Sequence, residues 1–362
     1  MKIGVPKEIK NNEYRVGLTP KSVVELVKYN HEVFVQANAG SEIGFLNKDY
    51  ENAGAKIMPS AEELYKSSEL IIKVKEPIPE EFKYLNSSHT VFAYLHLAGD
   101  PKTGLELTST GITGIALETV TANDGSMPLL SPMSAIAGQL SIIVGSYHLL
   151  KPNKGKGTLI GSFQQIEPRV VTVIGAGVAG TEAIKKAIDN RAKLKIIDLS
   201  SDKLQELKEI FGEDNIEYIE STETSISKAI AESDLVIGAV YVIGKQAPKV
   251  IKNSMLTDMK PGAVLVDISI DQGGCFESSM PTTHDKPTYE KDGIIHYCVT
   301  NMPGAVPLTA TEALNKATLP YILELANKGI DNALQENPHL ANGLNTKDGY
   351  IVHDAVKEAF TL

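Results

Sequence analysis

The residues with the clearest capacity for chemistry are Gly175, Gly177 and Gly180, which stand as G-x-G-x-x-G in VIGAGVAG, and Asp198, eighteen residues beyond the last of them. Gly175 permits a tight turn, Gly177 lets backbone amides approach a pyrophosphate, and Gly180 lets a helix pack closely on a strand. The helix N-terminus then faces the phosphate charge. An acid at Asp198 accepts from the adenosine ribose hydroxyls and would repel a 2′-phosphate, which favours NAD over NADP. The glycine pattern alone is a weak signal. Its weight comes from Val170–Ile174, a β-branched run typical of a buried parallel strand, and from the helical apolar spacing of Val178–Ala187.

Other candidates sit where apolar runs end. Arg15 follows the first predicted strand, where a guanidinium could pair bidentately with a carboxylate. Lys75 follows Leu70–Val74, and Lys73, two residues back, shares its face in a regular strand, so alternation alone leaves the choice between them open. His96 and Glu118 end two further runs. A lone histidine there is more often a satisfied structural group, and Glu118 is compatible with orienting Lys75 or His96 or with capping a strand. In the second half, Ala239, Val240, the stretch 267–271 with Ile268 and Asp271, Val299, Asn301 and Met302 lie at strand ends. Ligands bind there in open α/β sheets.

The elements that must position these residues read as two α/β domains. Predicted strands are Lys2–Val5, Glu32–Gln36, Leu70–Val74, Thr90–Leu95 and Ile112–Leu117, then, after Val170–Asp198, Leu235–Val240, Ala263–Ser269 and Ile295–Val299. Thr19 caps a helix over Pro20–Tyr29, and Ser60-Ala-Glu-Glu63 forms a capping box. A long apolar helix runs from about Ser134 to Leu150, and further helices cover Asp202–Phe211 and Ser221–Glu232. Lys151–Ile166 lacks G-K-[ST] and is a surface loop rather than a Walker loop. From Pro307 the chain is helical and should return to the first domain. The expected fold is α/β, with two Rossmann-like doubly wound parallel-sheet domains: a discontinuous substrate domain, residues 1–131 and 306–362, and an NAD-binding domain, residues 132–305.

At 362 residues and net charge −10, the chain fits two domains and lacks the clustered cations of a nucleic-acid binder. No stretch reads as a membrane span or signal peptide, so a cytoplasmic protein is expected. Cys275 and Cys298 are too few for a metal or disulfide pattern and read as reduced packing residues.

Taken together, KNNEYRVGLTP, IIKVKEP, YLHLA, SPMSAIAG, VIGAGVAG, VDISIDQGG and VTNMPGAVP, in this order and spacing, resemble the alanine dehydrogenase family over nearly the whole chain. The resemblance implies NAD as cofactor, L-alanine, pyruvate and ammonium as reactants, and a homohexamer without nucleic-acid or membrane partners. It implies that Arg15 and Lys75 hold the substrate carboxylate and that His96 and Asp271 exchange protons. Ser134, Lys203, Ser221 and Asn301 join the cofactor contacts, with Val178 and Ala179 supplying amides at the pyrophosphate, and Asp267 is structural or near the ribose. Tyr94, Leu130, Met133 and Met302 would leave room for about one methyl, although their apolar character alone would make them plain core. No metal is implied.

The family shades into the NAD-binding subunit of proton-translocating transhydrogenase, which is similar but lacks the histidine and the KEP matched here by His96 and Lys75-Glu76-Pro77. An enzyme of the same chemistry with a larger substrate, such as lysine with a keto acid, is the other alternative. The sequence departs from the usual family pattern at Gln139, Met280 and Leu308, where arginine is common, and at SFQQIE. Those positions bear on cofactor affinity and assembly more than on reaction type.

Overall fold

The computed structural model describes residues 1–242 and 246–360. It contains two sheets of mainly parallel strands flanked by helices, each in its own compact unit: Met1–Met133 with Val306–Leu362, and Ser134–Ala305.

In the first unit, β1 (Lys2–Val5), β2 (Glu32–Gln36), β3 (Lys56–Met58), β4 (Leu70–Ile72), β5 (Thr90–Ala93) and β6 (Thr113–Ala116) are parallel. The second unit holds β7 (Val170–Ile174), β8 (Lys193–Asp198), β9 (Ile216–Glu220), β10 (Leu235–Gly238), β11 (Val264–Asp267), β12 (Thr288–Lys291) and β13 (Ile294–Tyr297). The chain then runs through the helix Pro307–Lys328 to β14 (Leu344–Lys347) and β15 (Tyr350–Ile351). β14 lies antiparallel to β6, with Leu344 opposite Ile115, so the chain's last strands complete the sheet that its first strand begins.

The strand orders are β15-β14-β6-β5-β4-β1-β2-β3 and β12-β13-β11-β10-β7-β8-β9. Each sheet reverses direction beside its first strand, between β4 and β1 and between β10 and β7, and ligands lodge beyond the carboxyl ends at such a point. The central strands are buried on both faces, which is why their apolar runs do not alternate.

Local signals act largely as their chemistry requires. The Thr19 hydroxyl accepts from the Ser22 amide at 3.1 Å and starts Pro20–Lys28. The expected capping box at Ser60 is half formed. Its hydroxyl accepts from the Glu63 amide at 3.3 Å, but the Glu63 side chain turns toward that hydroxyl rather than the Ser60 amide. The helix expected from Ser221 begins at Glu223, because Thr222 is the cap and makes the reciprocal pair with Ser225. The long apolar helix spans Ser131–His148, and Lys151–Ile166 is largely exposed, with a single 3-10 turn at Lys151–Asn153. Both cysteines are free and buried.

Candidate active site

The first unit gathers four of the expected residues on adjacent strands. Arg15 lies on the segment after β1, Lys75 after β4, His96 after β5 and Glu118 after β6. Hydrogen-bonded pairing stops before these residues are reached: β4 ends at Ile72, β5 at Ala93 and β6 at Ala116. The longer strands expected to Val74, Leu95 and Leu117 are therefore corrected. Those residues remain buried, so the apolar run extends past the end of each strand.

The early end of β4 also removes the premise that Lys73 and Lys75 share a strand face. Lys73 is fully buried between Glu8 at 2.8 Å and Glu81 at 3.0 Å. Burial alone would lower its pKa, but the two carboxylates overcome this and raise it. Glu81 also accepts from the Tyr65 hydroxyl at 2.7 Å. Lys73 is thus committed to a structural ion network. Lys75 is buried and sits close enough to Glu118 for its charge to stabilise that carboxylate.

Arg15 is 1 % exposed, and its Nε and Nη2 donate to Glu13 at 2.7 and 2.5 Å, while Nη1 lies 3.2 Å from Met133 Sδ. Glu13 thus holds one edge of the guanidinium fork in place. His96 adopts the left-handed region at φ 45° and stacks on Tyr94, with ring centroids 5.8 Å apart. Its amide donates to Glu118 Oε1 at 2.6 Å, whereas Nδ1 is 4.0 Å from that oxygen, too far for a hydrogen bond. Glu118 also accepts from the Leu95 amide at 3.2 Å. Burial raises its pKa to about 7, against the backbone bonds and Lys75, which lower it.

Tyr94 and Met133 line this cluster. The Tyr94 hydroxyl donates to the Leu129 carbonyl at 2.6 Å, and burial holds its pKa well above the usual phenol range. Leu130 is half-buried beside them in sequence. Met302 belongs to the second unit.

In the second unit, Gly175 turns the chain after β7 at φ 93°. A Cβ at Gly180 would stand 1.8 Å from the Gly175 carbonyl oxygen, while one at Gly177 would meet nothing within 4 Å. The helix Val178–Asp189 starts there with no side-chain cap, and Val178 is exposed. Its first amides are therefore open to an anion. Asp198, at the end of β8, accepts from the Ala176 amide at 2.6 Å and the Ser200 amide at 2.9 Å, which ties the acid to the glycine turn. These features fit a dinucleotide: open space over Gly177, uncapped amides beside it, and a carboxylate held at the tip of the next strand.

The other expected cofactor residues are spread through the same unit. Ser134 is in the first turns of Ser131–His148, and Lys203 is paired with Glu206 at 2.9 Å on the next helix. The Ser221 amide donates to the Asp198 carbonyl at 2.9 Å. Ala239 and Val240 follow β10, which ends at Gly238 rather than at Val240 as expected. β11 ends at Asp267, not Ser269, and the turn Ile268–Gln272 is 3-10 helical, so the exposed Asp271 stands on a helical turn. β13 stops at Tyr297, leaving Val299, Asn301 (φ 62°) and Met302 on the following segment. Asp267 is fully buried and accepts from the Ser269 and Cys275 amides at 3.0 and 2.8 Å and from the Ser279 hydroxyl, the bonding pattern of a structural acid. Gln139 donates to Glu182 at 2.9 Å, and Met280 and Leu308 are exposed.

Glu8, Glu13 and Glu81 are functional candidates that sequence reasoning passes over. The only local signal is an acid two residues before Arg15, because Glu8 meets Lys73 from a segment distant in sequence and Glu81 reaches it from the helical turn Pro79–Phe82. Among the described residues, no group of His, Cys, Asp and Glu could hold a metal ion, and no helix is long and apolar enough to cross a membrane.

Two doubly wound units, one with a glycine turn tied to an acid and the other with a guanidinium, an ammonium and an imidazole at its strand ends, define a two-domain protein with a Rossmann-type nucleotide-binding fold. Comparison with known proteins narrows the class. The model described as alanine dehydrogenase/PNT, N-terminal domain, matches residues 4–137, and its C-terminal counterpart matches 141–354. An alanine dehydrogenase of Halomonas elongata is 49% identical over 100% of this chain and 97% of its own length. One of Bacillus subtilis is 47% identical over 98% and 94%. A solved L-alanine dehydrogenase superposes with TM-score 0.95 at 46% identity, covering 100% and 99% of the two chains. A transhydrogenase from Sinorhizobium meliloti shares the fold, with TM-score 0.83 at 24% identity over 98% and 100%. The chain belongs to the alanine dehydrogenase/PNT family.

Proposed function

We propose that the protein catalyses the reversible NAD-dependent oxidative deamination of L-alanine to pyruvate and ammonium. The observation that carries this reading is the cluster of Arg15, Lys75 and His96 on the ends of β1, β4 and β5, in a chain whose relatives over its full length are alanine dehydrogenases. NAD would be held by the amides of Val178 and Ala179 over Gly177 and by Asp198 at the ribose, with the remaining expected contacts from Ser134, Lys203, Ser221, Ala239, Val240, Ile268, Asp271, Val299, Asn301 and Met302. When bound, it supplies the nicotinamide that accepts hydride from the substrate Cα.

The protein's own groups do the rest. Arg15 and Lys75 fix the carboxylate, which orients Cα and lowers the entropic part of the barrier. His96, partly exposed and stacked on Tyr94, is placed to exchange a proton with the substrate. Asp271 is its acid/base partner in this reading. Tyr94 and Met133 beside Arg15 restrict the side chain to about a methyl, although apolar pockets discriminate by only about 1–3 kcal/mol per methylene. The same family relationship supports a homohexamer.

The test is NADH formation at alkaline pH with L-alanine, serine, 2-aminobutyrate and lysine in turn, with NAD or NADP. The expected outcome is alanine dependence with NAD alone. His96→Ala and Asp271→Asn should each lower turnover by about 10²–10⁴, as loss of an acid/base group does, with NADH still bound. NADH binding without oxidation of any amino acid would replace this reading with that of a binding module.

A further inference from the structure

We infer that Glu8 is a positioning residue for Lys75, one of a set of buried carboxylates that hold the substrate-facing residues through backbone N–H groups. The inference rests on the reading of Lys75 as a carboxylate-binding residue.

A parallel strand uses both edges. The last bonds of β4 toward β5 are made: the Lys73 amide reaches the Phe92 carbonyl and the Tyr94 amide reaches that of Val74. On the other edge β1 has ended at Val5, and its pairing with β4 reaches only Gly4 and Ile71. Amides beyond that point need another acceptor, since a buried N–H without one is costly. Glu8, three residues past the end of β1, supplies it. Its Oε1 accepts from the Val74 amide at 2.7 Å and the Lys75 amide at 3.3 Å, and its Oε2 accepts from Lys73 Nζ at 2.8 Å. The carboxylate replaces the missing strand and fixes the backbone from which Lys75 projects.

The device recurs one strand over. Glu118, two residues past β6, accepts from the Leu95 and His96 amides at the open edge of β5. Glu13 does the same for the Arg15 amide at 3.1 Å while gripping its guanidinium. Arg15, Lys75 and His96 each carry a backbone N–H bound to a different buried carboxylate. Geometry at the substrate is thereby set by backbone position as well as by rotamer.

Steady-state reductive amination of pyruvate by the full-length protein tests this, with NADH affinity measured separately by fluorescence. Glu8→Met removes the acceptor at similar volume and leaves Lys73 with Glu81. Loss of two bonds to a charged acceptor should raise the KM for pyruvate about tenfold to hundredfold, with little change in kcat or in NADH affinity. Glu8→Gln keeps a carbonyl oxygen for the two amides and should recover most of that loss. An unchanged KM in Glu8→Met, or a Glu8→Gln variant no better than Glu8→Met, overturns the clamp. Lys75→Ala with an unaltered pyruvate KM would instead remove the underlying reading of Lys75. Hydrogen exchange in the wild-type protein decides the case in which Glu8→Met does not fold. The Val74 and Lys75 amides should exchange as slowly as that of Ile72, and exchange at the rate of exposed loops overturns the proposal.

Discussion

Beyond Val5, Ile72 and Ala93 the first unit places Arg15, Lys75 and His96, each tied through its backbone N–H to a carboxylate, with the Arg15 guanidinium and Lys73 ion-paired as well. Beyond Ile174 the second unit places little more than bare backbone: a glycine at φ 93°, a position with open space around it, and a helix with no cap. Both ends belong to the same kind of sheet. The difference matches what each is proposed to hold. A small substrate offers few atoms, so its orientation depends on convergent, rigid side-chain charges. A dinucleotide offers a pyrophosphate that any open run of amides can hold, and specificity then needs only one acid, Asp198.

Arg15→Leu breaks the side-chain half of the comparison hardest. It leaves Glu13, whose side chain is fully buried, without its guanidinium, and removing one member of a buried pair costs about 3–5 kcal/mol. Urea unfolding should show that loss, and activity should vanish. Adding Glu13→Leu should restore much of the stability but none of the turnover, because an apolar pair is tolerated where half an ion pair is not. Recovery of activity in the double variant would mean that Arg15 serves the fold alone.

The next effect is a pH dependence in the same unit. Burial holds the Glu118 pKa at about 7, above the ordinary 4.5, so the folded state binds the proton more tightly than the unfolded chain. Its contribution is then full below pH 4.5 and lost as pH rises through 7. Glu118→Gln, neutral at all pH, should gain stability relative to wild type across that window, on the order of 3 kcal/mol at its upper end. Denaturant titrations at several pH values check this. A difference that stays flat with pH would show that Glu118 is ionised at no cost, making the first unit's carboxylates less strained than the comparison holds.

The smallest expected effect lies on the backbone side. Gly180→Ala would place a methyl 1.8 Å from the Gly175 carbonyl oxygen, so the turn must shift. Overpacking of this kind costs about 1–3 kcal/mol, enough to weaken NADH binding about tenfold to hundredfold while leaving the first unit's melting unaffected. NADH titration monitored by fluorescence gives the answer, and wild-type affinity would show that the glycine turn is not the phosphate cradle.

Much of this architecture was legible in advance, and the errors share a cause. Val74, Leu95, Leu117 and Val299 were read as strand because they are apolar, and all four are indeed buried. Burial outlasts the regular ladder at the carboxyl ends of both sheets, where Val74 keeps one bond from Tyr94 and Val299 an isolated bridge to Thr282, and hydrophobicity reports only burial. The unpredicted strands β3, β9, β12, β14 and β15 fail in the opposite sense. They carry lysines, glutamates or threonines toward sheet edges and lack the run that marks a buried strand.

The sequence by itself determined the period of the strands and helices, the chemistry of the glycine turn and the types of residue available for a substrate, since these depend on covalent identity and local spacing. Only the tertiary structure decided between Lys73 and Lys75, assigned Glu13 to Arg15 and Glu8 to the Lys75 backbone, and placed the Glu118 carboxylate on the His96 amide. Those outcomes depend on which strand ends beside which: Glu13 is near Arg15 in sequence, but Glu8 and Glu118 reach the Lys75 and His96 amides from segments distant along the chain.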